Sequence, residues 1–162
     1  REMGIEILED RSNLSRAYTR NRVRLDVLPA LETVNPSIRA TLARAAELAS
    51  DDLTALDGLA RTLHTHLARL STDGARLSYR HTDWVQQPRA LQRRLIRRAI
   101  EELTGGLENV PAAPIEDALD VIARGTANQT YHLPRGTEVV TSPTGFRVQL
   151  QARGTSGSPG IP

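Results

Sequence analysis

Apolar side chains recur every seven residues at Leu42, Ala49, Leu56, Leu63 and Leu70, and Ala46, Leu53, Ala60 and Leu67 lie four residues after the first four. This a/d spacing predicts one long helix over residues 36–71. Asn35 and Pro36 supply an N-cap and a first helical position, and Thr72-Asp73-Gly74 supplies a stop. At a rise of about 1.5 Å per residue such a helix is about 50 Å long. Three of the nine seam positions are Ala, which suits packing within one chain as well as a homodimeric coiled coil. Upstream, residues 4–8 read as extended and 10–13 as a turn. Residues 18–28 read as a helix that Pro29 either kinks or replaces with a second one. Downstream, Leu77 and Tyr79 alternate with polar neighbours like a short strand, and helices are predicted over 88–103 and 114–123. The period then changes to two. Residues 130–133, 137–141 and 146–150 alternate as strands, separated by Pro134-Arg135-Gly136 and Ser142-Pro143-Thr144-Gly145. The expected fold is α+β and predominantly helical. A long connector helix (35–73) leads to a small helical domain (74–153) closed by a short antiparallel β-ribbon. Residues 1–34 precede the connector as a separate piece, and 154–162 form a disordered tail.

Composition narrows the chemistry. The 162 residues include no Cys, which excludes disulfides and Cys-type zinc sites. No apolar run approaches the ~20 residues of a membrane helix and no signal-peptide pattern opens the chain, so a cytoplasmic location and no membrane partner are expected. His64 and His66 point about 200° apart on a helix, and His81 and His132 lack partners at ligand spacing, so no metal site is expected. Aromatic residues make up 3% of the chain, too few for recognition by base stacking, and Trp84 and Phe146 read as core. All 21 cations are Arg. A G+C-rich coding sequence accounts for that bias, yet the guanidinium fork also matches phosphate.

Charge is uneven along the chain. Residues 74–106 carry seven Arg against three acids, and residues 107–124 carry one against four. On a helical wheel Leu91, Leu95, Ile96, Ala99, Ile100 and Leu103 fill one arc, with Arg89, Arg93, Arg94, Arg97 and Arg98 opposite. Two readings follow: a track for an RNA backbone, or a solvated face paired with the acidic stretch 108–120. Further upstream, Arg20 and Arg24 share a helical face with Asn21 beside it, while Asp10 and Asn13 suit a local turn.

Asp10-Arg11-Ser12-Asn13, then Arg20-Asn21-Arg22-Val23-Arg24 and Leu28-Pro29-Ala30-Leu31, resembles the tRNA(Ile)-lysidine synthases. The string from Pro88 to Ala99 and the ending His132-Leu133-Pro134-Arg135-Gly136 resemble the second domain of that family. The resemblance implies a ligase that uses ATP, with Mg, to attach lysine to the wobble cytidine of an isoleucine tRNA. It also implies that Asp10, Asn13, Arg20, Asn21 and Arg24 edge the active site toward lysine or tRNA, and that Arg89, Arg93, Arg94, Arg97 and Arg98 bind tRNA. The adenylating loop of the family, Ser-Gly-Gly-x-Asp-Ser, is missing from this sequence, whose nearest string is Thr104-Gly105-Gly106-Leu107-Glu108. With Arg1 in place of an initiator Met, the expectation is a C-terminal fragment. It would contain no catalytic residue, bind no ATP and be inactive alone. Two rivals come from other classes. One is a scaffold that dimerises through the 42–70 seam. The other is a DNA-binding regulator reading bases from the 89–98 helix, where Gln92 is the one suitable amide.

Overall fold

A computed structural model of the chain describes residues 18–151. The expectations for residues 4–8, 10–13 and 154–162 therefore lie outside the described residues. The chain divides into two units, residues 1–52 and 53–162.

In the first unit, α1 (Thr19–Arg22) runs into a π-helical turn (Val23–Val27) and then α2 (Leu28–Val34). Pro29 explains the change of pitch. Its ring would clash with the carbonyl four residues back and it has no N–H to donate, so a widened turn precedes it and Pro29 sits in the first turn of α2. The expected cap falls two residues early. Asn35 closes α2, and its Oδ1 accepts from the Ser37 N–H at 3.0 Å in a turn through Pro36. Ser37, whose carbonyl accepts from the Thr41 N–H at 3.0 Å, is the residue that opens the next helix. Helix α3 spans Ile38–Leu67. Its length is about 45 Å, at a rise of about 1.5 Å per residue.

The seam is used over only part of that helix. Leu42, Ala46, Ala49 and Leu53 are exposed, whereas Leu56, Ala60, Leu63, His64 and Leu67 form a covered stripe. The helix also stops short of Ser71. Arg69 donates to the His66 and Ala68 carbonyls, closing the last turn. Leu70, the final heptad position by sequence, instead belongs to strand β1 (Arg69–Leu70), paired with Leu77 of β2 (Arg76–Arg80). Pairing gives that backbone a sheet ladder, which a helix continued to Leu70 would forgo.

In the second unit the strands form one antiparallel sheet in the order β1-β2-β5-β4-β3, with β2 at Arg76–Arg80, β3 at Thr130–Leu133, β4 at Thr137–Ser142 and β5 at Gly145–Leu150. The expected ribbon is thus the far half of a five-stranded sheet. Alternation places Leu77, Tyr79, Val139, Phe146 and Val148 on its inner face. Against them pack α5 (Arg89–Thr104) through Leu95, Ile96, Ala99 and Ile100, and α6 (Ala113–Ala123) through Ile115, Ala118, Leu119 and Ile122. A four-residue helix, α4 (His81–Trp84), turns Trp84 into this core. There Tyr79 stacks on Phe146 with ring centres 5.1 Å apart, and Trp84 meets Phe146 edge-on at 4.6 Å. Trp84 and Phe146 are core residues.

Candidate nucleic-acid interface

Helix α5 has the amphipathic form its wheel predicts. Leu91, Leu95, Ile96, Ala99 and Ile100 are buried, and Gly105, at a positive φ of 77°, closes the helix as a left-handed cap. The five arginines of the opposite arc then part company. Arg89 donates to Asp120 at 2.7 Å and to Glu116, and Arg93 donates to Glu116 as well. These bonds tie α5 to α6, and the Arg93 bond above all holds the Glu116 carboxyl below its ordinary range. The other three arginines lie toward α3. Arg94 is well enclosed, its side chain 12% exposed and its Nε 2.7 Å from Asp57. Arg97 donates to the Val110 carbonyl at 3.0 Å. Arg98 is 3.8 Å from Glu101, and its buried Nε has no hydrogen-bond partner among the described residues.

Between the second-unit part of α3 and α5 runs a groove of about 520 Å³. Its walls carry Arg61, Arg93, Arg94, Arg97 and Arg98 against two carboxylates, Asp57 and Glu101. Arg93 is paired with Glu116 and Arg94 with Asp57, so the excess comes from Arg61, Arg97 and Arg98 against Glu101, in a concavity that concentrates their field. Two polar links hold α3 and α5 together. Asp57 meets Arg94, and two turns later His64 Nε2 lies 2.7 Å from Glu102. His64 Nδ1 faces the Tyr79 hydroxyl at 3.1 Å. Ala60, fully buried between Asp57 and His64, lets the helices approach closely.

The sequence pattern assigns no role to Arg61, Asp57 and His64. Their spacing of 57, 61 and 64 marks a polar stripe beside the apolar seam, a signal that the heptad hides. Of the upstream residues, Arg20 and Asn21 lie on α1 and Arg24 lies in the π turn. Asp10 and Asn13 fall outside the described residues. Among the described residues no group of three or more His, Cys, Asp or Glu is placed to hold a metal ion, and no helix is long and apolar enough to cross a membrane.

Comparison with known proteins first defines the class. Residues 80–142, which include all five arginines of α5, match the family described as the TilS substrate binding domain. Over 134 residues the chain is 34% identical to a tRNA(Ile)-lysidine synthase of Dehalococcoides mccartyi, covering 83% of this chain and 28% of that protein. A tRNA(Ile)-lysidine synthase of Geobacter sulfurreducens is 34% identical over 142 residues, covering 86% of this chain and 29% of that protein. One of Thermobifida fusca is 42% identical over 99 residues, 59% of this chain and 28% of its own length. The chain belongs to the tRNA(Ile)-lysidine synthase family, and it spans less than a third of the length of these relatives.

Proposed function

We propose that this chain is the tRNA-gripping, C-terminal part of a tRNA(Ile)-lysidine synthase. It would present an isoleucine tRNA to an ATP-dependent site, where lysine is joined to the wobble cytidine. The observation that carries this reading is the α3–α5 groove, with five guanidinium groups against two carboxylates. Arg61 and Arg98 are its best phosphate ligands. Arg61 is exposed, and among the described residues Arg98 has a single long ion-pair contact, to Glu101 at 3.8 Å. Arg94 is a positioning residue, because its guanidinium is committed to Asp57. Arg89 and Arg93 would brace the groove by fastening α6 to α5. Contacts of this kind set the register of the RNA without reading its sequence. Arg20, Asn21 and Arg24, with Asp10 and Asn13, would edge the active site.

The Thr104-Gly105-Gly106 turn does not fit ATP. Gly105 caps the C-terminal, electronegative end of α5, and the cation at the turn, Arg135, is already committed to Glu108 at 2.9 Å and to the Thr104 hydroxyl at 3.0 Å. Adenylation would therefore fall to parts of the enzyme other than this chain, which alone would transfer no lysine. Dimerisation through the seam would be left with Leu42, Ala46, Ala49 and Leu53 as its contact face. Light scattering at twice the chain mass, halved by Leu42→Arg, would favour that rival.

Filter binding of the chain to an isoleucine tRNA transcript, from about 50 to 200 mM salt, tests the main reading. Affinity should fall linearly on logarithmic axes. Arg61→Gln/Arg98→Gln should reduce the slope by about 1.4–1.8, at about 0.7–0.9 per phosphate contact. Absence of binding at low salt, or equal competition by duplex DNA, would overturn the proposal.

A further inference from the structure

A second basic concavity lies on the other side of the sheet. Strand register places Arg69 of β1, Ser78 of β2 and Arg147 of β5 in one row, since Arg69 pairs with Ser78 and Ser78 with Arg147. Directly paired residues share a face, and Leu77 and Tyr79 on either side of Ser78 point into the core. The row therefore faces away from α5 and α6. Two strand spacings of about 4.8 Å put Arg69 and Arg147 about 10 Å apart along it. Together with Arg80, Ser142 and Thr144 they line a hollow of about 240 Å³, and none of its nine lining residues is acidic.

The bonding of these arginines differs from that on α5. Arg69 donates to two backbone carbonyls, at 2.8 and 3.0 Å, and Arg147 donates to the Gln149 side-chain oxygen at 2.7 Å. Those acceptors are neutral. Neither guanidinium forms an ion pair among the described residues, and the carboxylate nearest Arg147 along these bonds, Glu138, is reached only through the Gln149 amide at 2.8 Å, so each is held in place without a carboxylate bonded to it. Arg80 is paired with Asp83 at 2.8 Å, but its side chain is 77% exposed. So open a pair is weak and can exchange its carboxylate for another anion. A guanidinium fixed by neutral acceptors, with no carboxylate bonded to it, keeps donors for phosphate and can bind it by charge-assisted hydrogen bonds. A row of cations spread over three strands suits successive phosphates of a nucleic-acid strand better than one small ion, which calls for converging donors.

We infer that the outer sheet face around Arg69, Arg80 and Arg147 is a second docking site for the RNA phosphodiester backbone, separate from the α3–α5 groove. The site rests on the tRNA-binding reading, since it serves the same molecule. It gives the domain two anchors on different faces, and therefore a fixed orientation on its substrate.

The test is binding of the full chain to an isoleucine tRNA transcript with Arg69→Gln/Arg147→Gln, beside Arg69→Lys/Arg147→Lys and the groove variant Arg61→Gln/Arg98→Gln. Loss of two contacts should weaken binding about 25- to 60-fold at about 0.1 M salt and lower the salt slope by about 1.4–1.8. The Lys pair should keep most of the slope. If the Gln pair disturbs the thermal midpoint by uncapping α3, Arg147→Gln alone carries the test, with about a 5- to 8-fold loss expected. Wild-type binding that the groove variant weakens and the sheet variants leave unchanged would overturn this second site and spare the first. No wild-type binding at low salt would overturn both.

Discussion

Replacing Tyr79 with Phe removes one oxygen from a buried network and leaves the packing in place. The carboxylate of Glu102 only accepts, so His64 Nε2 carries the proton and Nδ1 is left to accept from the Tyr79 hydroxyl. His64 is 5% exposed, and water cannot readily take the place of that hydroxyl. Phe preserves the stack on Phe146 and the edge contact to Trp84, so area burial and ring geometry are unchanged. What remains is the cost of an unsatisfied buried acceptor, about 1–3 kcal/mol. With a urea slope of about 2 kcal/mol/M, the unfolding midpoint should fall by about 0.5–1.5 M with the slope unaltered. A second signature comes from pH. Burial pushes the Tyr79 hydroxyl far above its ordinary value of 10.0, so it stays a neutral donor in the folded chain. The unfolded Tyr ionises at about pH 10, hence wild-type stability falls as pH rises past that value, while Tyr79→Phe lacks this loss. The gap between the two proteins should be constant from about pH 7 to about 9.5 and narrow above about 10. A midpoint identical to wild type at neutral pH, or a gap that ignores alkaline pH, would refute the network as described.

Three further outcomes are expected. Ala60→Leu adds three carbons where α3 meets α5, so it should cost about 1–3 kcal/mol and weaken tRNA binding by spreading the groove, both read on one purified variant. Gly145→Ala would place a Cβ 2.0 Å from the Tyr79 carbonyl oxygen, forcing β2 and β5 apart. A loss of about 2–3 kcal/mol in urea is expected, and a neutral result would contradict the strand register. Because its arginine partners hold the Glu116 carboxyl below its ordinary 4.5, stability from this link is complete above that value and is lost as pH falls through the lowered one. Glu116→Gln should therefore flatten the acid limb of a stability–pH profile and leave the profile above about pH 6 parallel to wild type.

The local pattern alone was enough for the elements that bury one face. The alternation in residues 130–133 predicted β3 at its true bounds, and the wheel of α5 predicted its buried arc, because period two and period 3.6 map directly onto which side chains leave water. The family resemblance was equally legible, in short strings that need no coordinates. Tertiary structure decided the rest. Leu70 continues the heptad by sequence but lies in a strand, since β2 offered it a ladder partner in Leu77 that no helical period could register. The seam continues back to Leu42, yet only its later part is covered, because periodicity records the ability to pack and not the presence of a partner. Charge behaved likewise. Arg89 and Arg98 occupy the same polar arc of a helical wheel, but Glu116 and Asp120 neutralise the first while the second faces a groove. Arg69 and Arg147, near opposite ends of the second unit's sequence, share one row only through the order of strands. Coulomb interactions depend on separation in space, and separation between distant segments is set by the fold.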